Sequence, residues 1–212
     1  MMAGGMESLT AAMQHNIVPD QEYLLQGSIL DNKKEVLIHR LRGLCDNVDI
    51  GREEFNEKEM VFSIRGTATQ PLQLRVRHSL DPNSSIPWQL RYVGLPELSQ
   101  KATIVRSCYD IACTNNVVEF LSELGCRLEY EYISRGFIFR KGRIKVTVNK
   151  IFKPGGPGGP LDNLEPITPS HLVELSVLAP SGNDAVAEDM KMFAEQLKPL
   201  VVLDKFDLRR PM

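Results

Sequence analysis

Short runs in which apolar and polar residues alternate recur along most of this chain, and they limit its fold more than any other feature. Met60, Phe62 and Ile64 alternate with Val61, Ser63 and Arg65; Leu72, Leu74 and Val76 alternate with Gln73, Arg75 and Arg77; Trp88, Leu90 and Tyr92 alternate with Gln89 and Arg91. Period two marks a half-buried strand, because successive side chains leave the backbone on opposite faces. Segments 22–30, 104–113, 127–134, 137–140, 143–152 and 171–179 read as further strands, with Lys141 and Gly142 as a two-residue hairpin turn. Residues 201–203 read as a last short one. Three helices interrupt the strands. Residues 32–45 carry Asn32 and Glu35 at capping-box spacing, 115–124 stop at Gly125, and 184–200 place Val186, Met190, Phe193, Leu197 and Leu200 on one face. Eight or more short antiparallel strands with three helices predict an α+β fold. The expected architecture is a single antiparallel β-barrel, closed or nearly closed, with helices packed outside, because closure removes exposed edges.

The 212 residues suit one domain. Residues 1–20 mix Gly, Met and Ala without periodicity and read as a flexible N-terminal tail, leaving 21–212 as the barrel domain. Within it, Pro154 to Pro160 spell PGGPGGP, so about 153–169 reads as a flexible Gly/Pro loop. That loop lacks the Gly-Lys-Ser/Thr ending of a phosphate cradle and is an insertion, not a site. With 42% apolar and 25% charged residues and a formal charge of −2, the chain has no global cationic field to draw it onto nucleic acid or an anionic membrane. Cys45, Cys108, Cys113 and Cys126 form no Cys-x-x-Cys pair and have no histidine at ligand spacing, which predicts reduced thiols in an intracellular protein. No run reaches the roughly 18 apolar residues of a membrane span, and no dense Lys/Arg cluster marks nuclear import.

The charges fall on one side of the strands. Arg65, Arg75, Arg77, Arg91, Arg106, Arg127, Arg140 and Lys145 share the non-apolar face with Asp110, Glu129, Glu131 and Glu174. Two readings stay open: a solvated sheet face with ordinary cross-strand pairs, or an anion-holding tunnel in which the cations grip phosphoryl oxygens while carboxylates hold a divalent metal. Glu129 and Glu131, at i and i+2, point to one face and are the pair that metal-assisted chemistry would use. Arg75, Arg91 and Glu129 are the polar candidates for contacts with a partner. His15, His39, His78 and His171 have no companion pattern for nucleophilic catalysis. Sheet-face RNA binding lacks aromatics on the polar face.

Several longer strings resemble a known family. Glu22-Tyr-Leu-Leu-Gln-Gly-Ser28, His39-Arg-Leu-Arg-Gly-Leu-Cys-Asp-Asn47, Trp88-Gln-Leu-Arg-Tyr-Val-Gly94, Phe139-Arg-Lys-Gly142, Lys150-Ile-Phe152, Leu172-Val-Glu-Leu-Ser-Val177 and Phe193-Ala-Glu-Gln-Leu-Lys-Pro-Leu200 are similar to the subunit 18 family of the animal Mediator complex. The likeness runs from about residue 22 to the C-terminus. It implies a non-enzymatic subunit of the nuclear Mediator head module with a triphosphate-tunnel-like barrel. Such a subunit pairs with subunit 20, docks on a C-terminal segment of subunit 8, and helps relay activator signals to RNA polymerase II. No cofactor, metal, direct nucleic-acid contact or membrane contact is implied. Tunnel enzymes open with Glu-x-Glu-x-Lys on the first strand; here the comparable positions are Glu22, Leu24 and Gln26. Leucine cannot ligate a hard cation and a neutral amide replaces the ammonium, so the alternative of a metal-dependent tunnel phosphohydrolase loses two of three motif positions.

Overall fold

The structure, a computed structural model, describes residues 20–46, 53–64, 72–97, 102–154, 164–180 and 185–206. Its elements run β1 (Asp20–Leu30), a 3-10 turn (Asp31–Lys33), α1 (Lys34–Leu44), β2 (Glu53–Ile64), β3 (Leu72–Ser79), β4 (Trp88–Val93), β5 (Ile104–Cys113), α2 (Val117–Glu123), β6 (Arg127–Lys141), β7 (Ile144–Lys153), β8 (Glu165–Pro166), β9 (Ser170–Pro180) and α3 (Ala185–Gln196). The strands are ordered β6-β2-β3-β4-β5-β1-β9-β7, and a β6–β7 ladder joins the two ends. Eight antiparallel strands therefore close into a barrel, and two-residue β8 is an extra strand against the end of β7.

The alternation in each strand decides what lies inside. Tyr23, Leu25 and Ile29 of β1, Val173, Leu175 and Val177 of β9, and Val146 and Val148 of β7 point outward. There they meet Leu37, Ile38 and Leu41 of α1 and Val186, Met190 and Phe193 of α3, forming the larger apolar core. A smaller core joins Met60 and Phe62 of β2 and Val76 of β3 to Val117 and Leu121 of α2. Burying these stripes is what holds the helices to the sheet, since a full aliphatic burial is worth about 1.5–3 kcal/mol. Among the described residues no helix is long and apolar enough to cross a membrane.

Several boundaries differ from the sequence reading for local reasons. β2 begins at Glu53, upstream of the apolar alternation, because its charged first half pairs with β6 from Glu53 onward and with β3 from Glu57. Segments 127–134 and 137–140 are one strand, β6, that continues through Gly136. A side chain at Gly136 would come within 2.6 Å of the Asn149 Cα on β7. Asn32 is not a helix cap: it lies in the 3-10 turn, and α1 starts after Lys33 with no side-chain cap bond. Gly142 takes φ +54° at the expected hairpin turn, and Gly125 takes φ +85° after α2. Residues 201–203 do not form a strand; Val201 and Leu203 are buried against the larger core, and the segment makes one bridge, Gln26 to Asp204. The expected tail at 1–19 and most of the Gly/Pro stretch, 155–163, lie outside the described residues. The two ends of that expected loop are ordered by β8, where Phe152 pairs with Pro166 and Lys153 with Glu165.

Gly136→Val is expected to force β6 from β7 and lower stability by about 2–3 kcal/mol in chemical denaturation. Gly43→Ala, at an exposed position of α1 with open space where the new methyl would stand, should raise it by about 0.5 kcal/mol.

Candidate functional site: the charged lumen and the barrel exterior

With the apolar faces under the helices, the polar face of every strand turns inward. Glu22 on β1 stands opposite Arg106 on β5, Asp110 opposite Arg91 on β4, Arg91 opposite Arg75 on β3, and Arg77 opposite Glu59 on β2. The charged face is therefore the lumen, and it is organised around two carboxylates.

Glu59, nearly inaccessible, accepts 2.9 Å from Arg75 Nη1 and 2.8 Å from Arg77 Nη2, and Arg77 also lies 3.6 Å from Glu57. Burial disfavours the charged form of Glu59, but Arg77 and Arg75 outweigh it and hold the carboxyl below its ordinary range. The same carboxylate takes a bond from the Tyr132 hydroxyl, which burial and this neighbour push well up. Glu22 accepts 3.1 Å from Arg91 Nη1 and 2.6 Å from Arg106 Nε. Arg91 then clamps Asp110 through both carboxylate oxygens, at 2.5 and 2.6 Å. Charge-assisted bonds of this kind are the strong ones, and each guanidinium here has at least one carboxylate.

Two lumen groups lack such a match. Glu174 accepts 2.6 Å from Gln26 Nε2; burial, with Glu22 and Glu59 nearby, raises its carboxyl above the ordinary value. Lys145 has no carboxylate within ion-pair distance among the described residues, and burial together with Arg77 lowers it.

The remaining expected residues are scattered. Arg140 pairs with Glu53 at the exposed end of β6, Arg127 is exposed at its start, and Arg65 lies outside the described residues. Glu129 and Glu131 do not form a shared pair: the β2–β6 register shifts between Val61 and Phe62, opposite Glu129. Glu129 is exposed there and accepts a bond from Gln73, while Glu131 stands opposite Met60 on the outer face and pairs with Lys58 at 2.9 Å. Glu57 and Glu59 escaped the sequence reading because the charged string before Met60 hides a continuing alternation, Phe55, Glu57, Glu59, Val61.

This arrangement does not fit the metal and phosphate chemistry of a tunnel enzyme. Glu22, the one surviving motif carboxylate, is held by two arginines; Leu24 is buried; and Gln26 is turned to Glu174. Among the described residues no three His, Cys, Asp or Glu side chains are placed to hold a metal ion. The cysteines are all unpaired thiols, and burial pushes Cys45 and Cys108 up to about 11, far from a reactive thiolate.

A family model described as Med18 protein matches residues 21–210. The chain belongs to the Med18 protein family. Mediator of RNA polymerase II transcription subunit 18 of Aedes aegypti is 55% identical over 206 residues, covering 95% of this chain and 92% of the relative; that of Danio rerio is 51% identical, covering 90% and 91%. The solved structure of the Schizosaccharomyces pombe Mediator head module contains a chain that superposes with a TM-score of 0.70 at 19% identity, covering 88% of this chain and 98% of that one. That likeness shows the fold, a closed antiparallel barrel with helices packed outside, and the Med18 family is one of non-catalytic subunits.

Two lumen variants should behave oppositely. Glu59→Gln removes the carboxylate that Arg75 pairs with and leaves Arg77 only Glu57 at 3.6 Å, and is expected to cost about 3 kcal/mol. In the wild type, the stability due to Glu59 is present above its unfolded pKa and is lost as pH falls through the depressed folded one. Glu174, whose folded pKa is raised, contributes stability at low pH that is lost as pH rises through that folded pKa. Glu174→Gln should therefore raise the melting temperature at pH 7–8 and leave it unchanged near pH 4, read by thermal denaturation across pH.

Proposed function

We propose that this chain is a non-enzymatic structural and interaction subunit of the Mediator head module in the nucleus. In this reading it pairs with subunit 20 and docks on the C-terminal segment of subunit 8, helping to regulate RNA polymerase II transcription. Membership of the Med18 family carries the reading, and the lumen supports it. Arg75, Arg77, Arg91 and Arg106 are already bound to Glu22, Glu59 and Asp110 rather than open to a phosphate, which favours a chain that works through its surfaces.

Of the three expected contact residues, Glu129 is exposed at the bulge of β6 and carries the contact proposal. Arg75 and Arg91 lie within the lumen in ion pairs, so they touch a partner only where it enters the barrel mouth. Reversing both tests barrel integrity together with contact.

Co-expression with subunits 8 and 20 tests the role. The chain should co-purify with both, and Glu129→Lys should weaken retention severalfold without moving the melting temperature. A chain that retains neither subunit, or that releases phosphate from tripolyphosphate with Mn²⁺ until Glu22→Gln abolishes it, overturns the reading.

A further inference from the structure

Of the 13 prolines in the chain, one follows a hydroxyl residue, in Thr168-Pro169. The pair lies where β8 hands over to β9. Ile167 N–H donates 3.0 Å to the Ile151 carbonyl of β7, and Ser170 opens the β9 ladder opposite Leu30 of β1. Between those anchors the chain bends over 167–169, and residues 165–169 are all exposed. The residue before a proline is steered toward extended backbone, so Thr168 stands on a short displayed segment and not within a helix. Among the described residues its hydroxyl meets Ser170 alone, 3.0 Å from the hydroxyl and 3.4 Å from the carbonyl oxygen. A neutral hydroxyl pair at the surface yields readily to an enzyme that takes the threonine.

The surroundings of the pair suit a phosphate. Asp31 N–H donates 3.2 Å to the Pro169 carbonyl, which sets the pair against the junction of β1 and α1. There Lys150 Nζ of β7 holds both Asp31 carboxylate oxygens, at 2.5 and 2.7 Å, and His171 Nδ1 of β9 stands 2.8 Å from one of them. The Lys150 and His171 side chains are largely covered, whereas Asp31 is about half exposed, so the cations are fixed and the carboxylate they share is free to turn to water. The other acids here have bases of their own: Glu35 pairs with Lys34 at 3.0 Å, and Glu165 stands opposite Lys153 in the β7–β8 ladder. Arg135, opposite Lys150 on β6, donates to Asn56.

We propose that Thr168 is a phosphorylation site for a proline-directed protein kinase, and that Lys150 and His171 hold the phosphate in place of Asp31. A kinase cleft that offers no acceptor to the N–H of the following residue selects proline there, because proline has none. In the transfer, a bond forms between Thr168 Oγ1 and the γ-phosphorus of ATP as the bond from that phosphorus to its bridging oxygen breaks. ADP leaves with the electron pair, and the hydroxyl proton passes to the kinase's catalytic carboxylate. The phosphate carries a charge of about −1.5 to −2 and three acceptor oxygens, more than the single charge and two oxygens of Asp31, so it wins the same cations. Segment 165–169 is then tied to β7 and β9 through side chains as well as backbone.

The full chain, incubated with ATP and a proline-directed kinase of the mitogen-activated class, should take up one phosphate, mapped to Thr168 by mass spectrometry. A synthetic peptide of residues 162–174 is the positive control. Thr168→Val and Pro169→Ala should each abolish uptake and leave the melting temperature of the unmodified chain unchanged. Phosphorylation is expected to raise that temperature by about 2–4 °C, the size that one or two new charge-assisted bonds give. Lys150→Gln and His171→Gln should each remove at least half of the rise, and Asp31→Asn should enlarge it. A peptide that is modified while the folded chain is not, or phosphate on other hydroxyls with Thr168 unmodified, overturns the site. No rise, or a rise that survives Lys150→Gln with His171→Gln, overturns the assignment of these two residues to the phosphate.

Discussion

Closing the sheet forces its charged face inward, and the ion pairs that neutralise it there are what the rest of the structure depends on. An arginine taken from water without a partner costs several kcal/mol, so a barrel with Arg75, Arg77, Arg91 and Arg106 on its inner wall must supply carboxylates within reach. Glu59 and Glu22 do so from opposite sides of the wall. Each one gathers two guanidiniums, and their strands, β2 and β1, also present the apolar stripes that bind α2 and α1 with α3. The same alternation that sends glutamate inward sends Met60 and Tyr23 outward, so helix packing and lumen pairing are two results of one register.

A lumen whose arginines are bound to Glu22, Glu59 and Asp110 favours recognition at the exterior. The helices occupy two sectors of the wall, and the sector that remains, on β4 and β5, is built from apolar outward residues although the inner side of the same strands carries Arg91, Arg106 and Asp110. Divided labour of this kind suits a family of non-catalytic subunits, the polar interior keeping the barrel in one form.

Much of this was legible from local pattern. Alternation located the strands, Lys141 and Gly142 located the hairpin, and Val186, Met190 and Phe193 of the expected 184–200 stripe located the last helix, which ends at Gln196 and leaves Leu197 and Leu200 in the turn that follows. What escaped was set by distant pairing. The first half of β2 reads as a charged coil until β6 pairs with it from Glu53 and β3 from Glu57; the bulge opposite Val61 separates Glu129 from Glu131; and Asn32 has cap chemistry but falls inside a 3-10 turn. Whether the charged face was lumen or surface could not be read from any one segment, because it depends on the β6–β7 ladder that closes the circle. The family likeness was legible in strings such as Trp88-Gln-Leu-Arg-Tyr-Val-Gly94, which hold outward and inward residues in fixed order.

The lumen pairs act on specificity more than on net stability. Desolvating two ions offsets most of their attraction, so a matched buried pair adds little over an apolar pair of the same shape. A mismatched one is ruinous. Slipping β2 by one residue would turn Glu59 under α2, into the apolar cluster of Phe62 and Val117, and would set Met60 and Phe62 against Arg77 and Arg75. Every such slip leaves charges buried without partners at several kcal/mol each, which separates the native register from its neighbours. In this barrel, charges arranged like those of a site that grips a charged ligand instead hold each strand to a single alignment, and that alignment keeps the β4–β5 exterior in one shape.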